Sequence, residues 1–225
     1  MPTPLNRAQL EAYQRDGFLL VSGLTPAPVV EAAERALWTC LQLDPKDPAS
    51  WPAGTPARSD ANPDLLACYT PTLLAAAAQL SGDDISSFAA PQAAFSLNVF
   101  PLHAPAQWKW PSPHIDHAIK EHGHKTFPRP FRVASMFFLN DVAPHGGGTV
   151  VWPGSHRRIE ALAQSDRARY EYMWVLNQEL DRAKLEDPTE LQPRQGDVLF
   201  YQYLCAHAGS ANTTARPRLA FNAKW

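Results

Sequence analysis

Apolar residues recur at helical spacing over the first ~90 residues and then give way to short apolar runs bounded by proline, glycine or aspartate. Asn6 opens the first helical stretch, with Gln9 as capping-box partner, Leu10 and Tyr13 on one face, and Gly17 as the stop. Residues 18–21 then predict a strand. Thr25-Pro26 predicts a second helix start, a cap followed by proline in the first turn, with Val30, Ala33, Leu37 and Leu41 at helical spacing. Prolines crowd residues 43–64 while periodic apolar positions are few, which predicts an irregular surface loop suited to covering a pocket mouth. Thr70-Pro71 opens a further helix, rich in alanine through Leu80 and ended by Ser81-Gly82. Residues 93–100, 131–139, 149–152, 198–204 and 219–225 read as strands, and 157–185 as a charged helical insertion carrying Tyr170, Met173, Trp174 and Leu176.

Helices first and strands later predict an α+β fold, an antiparallel core with the N-terminal helices packed on one side. At 225 residues with 45% hydrophobic content the chain suits a single domain, helical over about 1–90 and β-rich over about 91–225. No apolar run is long enough to span a bilayer, so no membrane partner is expected. A net charge of -2 without a basic stripe argues against nucleic acid as a partner. Cys40, Cys68 and Cys205 form neither a disulfide framework nor a zinc ribbon, and the N-terminus lacks the basic and apolar segments of a secretion signal. A cytoplasmic location is therefore expected. Oligomeric state is not readable from these features.

The chemistry begins at His114-Ile115-Asp116. In extended chain, side chains two residues apart share a face, so His114 and Asp116 can reach one metal ion while Ile115 points away. His207 supplies a second imidazole far downstream. Two histidines and a carboxylate on one face of an octahedron form the facial triad of non-heme Fe(II) oxygenases, which leaves positions open for a co-substrate and O2. The same donors also serve catalytic zinc, so a zinc hydrolase is a competing class.

The order of helix, strand, proline-rich loop, H-x-D motif, Pro153-Gly154-Ser155-His156 turn, Gly196-Asp197-Val198, His207 and Arg218 resembles the phytanoyl-CoA dioxygenase family over nearly the whole chain. The resemblance implies a jelly-roll core, also called a double-stranded β-helix, that binds Fe(II) and 2-oxoglutarate and oxidises a small-molecule substrate with O2. It implies His114, Asp116 and His207 as the metal ligands. Arg218 would hold the distal carboxylate of the keto acid through its planar fork. Arg216, two residues earlier, would face the same way in a regular strand and is a rival, although the family spacing favours Arg218. Thr149 and Asn98 are further candidates for keto-acid contacts. The family's small polar residue after the distal histidine is replaced here by Ala208-Gly209-Ser210. The implied outcome is hydroxylation with release of succinate and CO2, because halogenating relatives replace the carboxylate at the position of Asp116.

Other residues near the motif have plainer readings beside functional ones. His117, His122 and His124 have spacings compatible with a second metal, but their charged, glycine-bearing segment favours a solvated loop or a lid on the substrate side. Trp108, Trp110, Phe127 and Phe131 suit either an apolar substrate pocket or core packing. Arg129, Arg132 and Lys109 suit a substrate anion or solvent, Cys205 a buried apolar position near the metal, and His103, His145 and His156 structural roles. A non-catalytic binding module on the same jelly roll is the third reading.

Overall fold

The computed structural model describes residues 4–52, 54–104 and 106–225. The expectation about a secretion signal falls partly on Met1 to Thr3, and the proline-rich loop includes Ala53; these positions lie outside the described residues.

In chain order the elements are α1 (Arg7–Asp16), β1 (Phe18–Val21), α2 (Ala27–Leu41), β2 (Ala57–Asp60), α3 (Pro63–Leu66), α4 (Pro71–Ser81), β3 (Ala94–Leu97), β4 (Ala134–Phe138) and β5 (Thr149–Val151). They continue with α5 (Ser155–Ser165), α6 (Met173–Gln178), β6 (Thr189–Glu190), β7 (Val198–Tyr201), β8 (His207–Gly209) and β9 (Ala220–Lys224). Two antiparallel sheets result, a six-stranded one in the order β1-β7-β4-β9-β3-β2 and a three-stranded one in the order β6-β5-β8. The first four strands join the large sheet, and from β4 on the chain passes to the small sheet (β5, β6), back to the large one (β7), across again (β8) and back (β9), the layering of a jelly roll.

Strand parity sorts the core into layers. On β9 and the residue before it, Leu219, Phe221 and Ala223 face the N-terminal helices and pack with Val30, Leu37 and Leu73. Ala220 faces inward and meets Val151 of the small sheet together with Met136, Leu199 and Tyr201. The outer face of the small sheet, with Val150, Ala206 and Ala208, is covered by α5 and α6 through Ile159, Met173 and Leu176. The helical insertion is thus a second outer layer, and the N-terminal helices pack on one side of the large sheet as the sequence predicts.

The caps explain where the helices start and stop. Asn6 and Gln9 form the reciprocal capping box of α1, and Gly17 closes it in the left-handed conformation at φ 83°. Thr70 Oγ1 accepts from the Leu73 amide at 3.1 Å and donates to the Leu24 carbonyl at 2.7 Å, tying α4 to the chain leading into α2. Thr25 does not cap α2. Pro26 occupies that position without a side-chain cap, and the buried Thr25 hydroxyl donates instead to the Cys68 carbonyl at 2.9 Å. The segment expected to be wholly irregular contains β2, which pairs with β3 from Ala57 opposite Leu97 to Asp60 opposite Ala94. Its sequence Ala-Arg-Ser-Asp has no apolar alternation, so only the pairing partner reveals it; as an exposed, charged edge it also resists further strand addition.

The Pro153-Gly154-Ser155-His156 turn ties the start of α5 to the end of α1. Gly154 N donates to the Asp16 carbonyl at 2.8 Å, and the His156 ring nitrogen Nε2 lies 3.2 Å from the Gln14 carbonyl at the end of α1. A β-carbon on Gly17 would come within 2.3 Å of His156 Nδ1. Gly17→Ala is expected to lower stability by more than about 1 kcal/mol, from the positive φ together with the clash. Urea unfolding of Gly17→Ala, His156→Ala and the double variant checks this: the double variant should lose less than the two single losses added, and strict additivity would exclude the clash.

Candidate metal centre and its surrounding cavity

His114 and His207 meet through their backbones before their side chains. The His114 amide donates to the His207 carbonyl and the His207 amide to the His114 carbonyl, each at 3.0 Å. This reciprocal antiparallel pair puts both imidazoles on one side, with ring centroids 4.5 Å apart. The extended chain expected at the motif is reduced to a single bridge at His114, because a turn starts at Asp116 and His117 adopts φ 62°. The same-face outcome survives. Ile115 is directed into the core beneath α5 and α6, and its amide donates to Asn177 Oδ1 of α6 at 2.9 Å. One ligand atom from each of His114, Asp116 and His207 lies within 4.8 Å of the others, the one such group of three among the described residues.

His207 is held from behind. Its Nδ1 lies 3.0 Å from the Cys205 carbonyl, which favours a proton on Nδ1 and leaves Nε2 as the free donor. The preceding amide, Ala206 N, donates to the buried Ser155 Oγ at 2.9 Å, so the Pro-Gly-Ser-His turn also positions the distal histidine. Asp116 Oδ2 accepts from the Tyr201 hydroxyl at 2.8 Å and lies 3.3 Å from Lys224 Nζ, whereas Oδ1 faces His207 Nε2 at 3.7 Å.

These contacts set the protonation states. Burial alone would raise the Asp116 carboxyl, but the charges and hydrogen bonds of His207, Lys224 and Tyr201 outweigh it and hold the group well below the usual carboxylate range. Burial likewise opposes a charge on His207, yet Asp116 lifts its pKa above the ordinary histidine value. His114, open to water on one side but otherwise enclosed, is pushed down to about 4 by burial and then by neighbouring His207. A carboxylate and imidazoles arranged to share one cation are the donor chemistry of a divalent metal site.

Arg218 lies at the other end of the inner space. It is 5% exposed, its Nη2 donates to the Leu97 carbonyl at 3.0 Å, and its Nη1 lies 3.4 Å from Thr149 Oγ1. Its Nε has no partner, and no ion pair among the described residues includes it. Burial pushes the guanidinium down to about 10. A buried cation without a counter-charge is costly, so the structure is shaped here for an anion. Arg216 is exposed beyond a bend at 214–216, which removes the shared-face argument, and lines a separate cavity with Glu34 and Asp141. Asn98 is fully buried, but its amide makes only long contacts of 3.4 Å to the Pro56 carbonyl and the Ala220 amide.

The sequence profile of the phytanoyl-CoA dioxygenase (PhyH) family matches residues 13–220. The chain belongs to this family. Iron and 2-oxoglutarate are the family's cofactor and co-substrate, and the H-x-D and distal histidine of its facial triad are present. Among solved structures the chain is similar to the epimerase SnoN from nogalamycin biosynthesis in complex with Fe3+, alpha ketoglutarate and nogalamycin RO, at 19% identity over 96% of this chain and 81% of SnoN, with a TM-score of 0.68. The alpha ketoglutarate dependent carbocyclase SnoK from the same biosynthesis matches at 18% identity over 97% of this chain and 82% of its own, with a TM-score of 0.64. EctD from S. alaskensis, solved with 2-oxoglutarate and 5-hydroxyectoine, matches at 20% identity over 98% and 76%, with a TM-score of 0.63. At these identities the likeness is one of fold, and it establishes the double-stranded β-helix. No curated protein sequence matches the chain.

In this phytanoyl-CoA dioxygenase-family protein a cavity of about 600 Å³ opens beside the triad, with His117, His122 and His124 on its wall. Their rings neighbour one another at centroid distances of 4.3 and 5.6 Å, but their donor atoms do not converge as those of the triad do. Of the two readings of the four aromatics, pocket lining or core packing, packing fits: none lines this cavity, Trp108 stacks on His145 and meets Trp110, Phe127 packs against the α5–α6 layer, and Phe131 packs on His117 and Tyr203. Arg129 and Arg132 pair with Asp83 on the surface. Cys205 is buried as expected, and its contribution is its carbonyl on His207. No described helix is long and apolar enough to cross a membrane.

Sequence reading missed Tyr201, Lys224, Asn177 and Ser155. Only Lys224 carried a usable signal, because it shares strand parity with Arg218 on the last strand. Tyr201→Phe removes the hydroxyl on Asp116 Oδ2, and anaerobic Fe(II) titration is expected to show affinity reduced about 10- to 100-fold, as for other groups that orient a metal ligand. Unchanged affinity would show that the hydroxyl does not orient the carboxylate.

Proposed function

We propose that this protein is an Fe(II)- and 2-oxoglutarate-dependent dioxygenase that hydroxylates a small organic molecule, releasing succinate and CO2. The observation that carries the reading is the buried, unpaired Arg218 guanidinium in the same inner space as the triad. His114, Asp116 and His207 would hold the iron, and Arg218 with Thr149 the distal carboxylate of the keto acid. When bound, iron with 2-oxoglutarate supplies the activation of O2 and the oxidising power. The chain's own part is to fix and to enclose. The backbone pair sets the spacing of the two imidazoles, while Tyr201 and Lys224 occupy Asp116 Oδ2 and leave Oδ1 turned toward His207. The free edge of Arg218, with Nε lacking a partner, offers the fork that a carboxylate accepts in two parallel hydrogen bonds.

A zinc hydrolase would leave Arg218 buried without a purpose, and a merely binding jelly roll would not need a complete triad. The retained Asp116 carboxylate favours hydroxylation among the family's outcomes. Residues 1–225 would act as one unit, the helical part to about residue 90 and the jelly-roll core beyond it. The free thiols of Cys40, Cys68 and Cys205 and the need to keep iron ferrous suit the cytoplasm, with a small-molecule substrate and neither nucleic acid nor membrane as partner.

Anaerobic addition of Fe(II) and 2-oxoglutarate to the intact protein is expected to produce the visible charge-transfer band of a chelated keto acid; folded protein without a band would sink the reading. Arg218→Ala should raise the 2-oxoglutarate concentration needed for half the band about 10- to 100-fold, the loss of charge-assisted hydrogen bonds. Arg216→Ala should leave it unchanged, and equal effects of the two substitutions would remove the assignment to Arg218.

A further inference from the structure

Arg218 and Lys224 stand on one face of the last strand, with Leu219, Phe221 and Ala223 directed to the opposite face. Six residues of extended chain separate the two cations by about 20 Å, so they serve opposite ends of the inner space. Arg218 lies at the closed end. Lys224 lies at the open end, its side chain 25% exposed, its Nζ 5.9 Å from the Phe131 ring centroid and 3.3 Å from Asp116 Oδ2.

The charge at that open end is lopsided. Asp116 is the one carboxylate among the described residues lining the cavity, and it is committed to the metal; around it stand Lys224 and the imidazoles of His117, His122 and His124. In the reading given above, on which this inference rests, the charges of iron(II), Asp116, Arg218 and a 2-oxoglutarate dianion cancel. Lys224 then carries the one positive charge left over in the sum, facing the space left for substrate with its Nζ 3.3 Å from an Asp116 carboxylate already shared with the metal. The same wall carries Ala118 and the 52% exposed Ile119, apolar surface beside the cationic group. A cavity of about 600 Å³ is of small-molecule size.

We propose that the substrate is a small organic anion whose carboxylate or phosphate meets Lys224 and the imidazoles of His117, His122 and His124, and whose apolar part lies against Ala118 and Ile119. A cationic substrate would find no free carboxylate there, and a neutral one would leave Lys224 with only Asp116, whose Oδ2 it shares with the Tyr201 hydroxyl. Lys224 then has two partners in turn, Asp116 before substrate arrives and the substrate anion afterwards. A recognition role differs from a purely structural counter-ion to Asp116 in one measurable respect: it discriminates between ligands.

The test uses full-length protein loaded with Zn(II), which keeps the divalent charge without oxygen chemistry, and saturated with 2-oxoglutarate. Hexanoate, hexyl phosphate, 1-hexanol and hexylamine are compared by ligand-observed NMR. At least one of the two anions should bind about tenfold or more tightly than the alcohol and the amine, the factor expected from one charge-assisted hydrogen bond. The better anion of the two distinguishes a carboxylate from a phosphate substrate. Lys224→Met should reduce anion binding to the level of the alcohol while leaving the alcohol unchanged, and Lys224→Arg should restore the preference. Circular dichroism and zinc titration confirm that each variant is folded and loaded, and Lys224→Gln serves if the methionine variant is not. No preference for an anion, or a loss in Lys224→Met that is equal for all probes, overturns the proposal. Because the charge-transfer band is recorded separately with iron, its absence would sink the oxygenase reading, whereas the anion preference is decided with zinc.

Discussion

The two-way backbone hydrogen bond between His114 and His207 is the constraint on which the site depends. Side-chain rotamers can swing a ligand atom about its own Cα, but they cannot bring together segments this far apart in the chain. The bridge does so, and everything around it preserves the register. Ser155 holds the amide before His207, Cys205 turns its ring, and Asn177 holds the amide between His114 and Asp116. The bridge is a single pair rather than a ladder, so these flanking bonds do the work that neighbouring strand residues would otherwise do.

The layers exist to keep that bridge in place. The N-terminal helices brace the large sheet, the α5–α6 insertion braces the small one, and the site lies where the sheets face each other. The turn after β5 links the layers, touching the end of α1 through His156 and the strand of His207 through Ser155. A motif with the look of a surface turn is therefore structural in a stronger sense: it joins the first helix to the distal ligand.

Electrostatics divide the inner space between two cations on one strand. Arg218 is buried and lacks a counter-charge, which suits a co-substrate that arrives with its own negative charge. Lys224 is partly exposed and shares Asp116 with Tyr201. Burial and partnership thus distinguish the two residues, although strand parity makes them look equivalent.

Local chemistry made much of this legible from sequence. The capping box at Asn6, the stop at Gly17 and the Thr70-Pro71 start follow from bonds made within a few residues, and the structure has them. The H-x-D spacing, the distal histidine and the order of motifs pointed to the facial triad and to the family, since donor type and chain order are properties of sequence. Tertiary structure decided what depends on distant partners. It turned Thr25 from a cap into a donor to Cys68, and it made a strand of residues 57–60 through pairing with β3. It also buried Arg218 while leaving Arg216 in solvent, and it set Tyr201 and Lys224 on Asp116. The physical reason is the range of the interactions: caps and ligand spacings are settled within a few residues, whereas burial and charge pairing are settled only when the sheets close on each other.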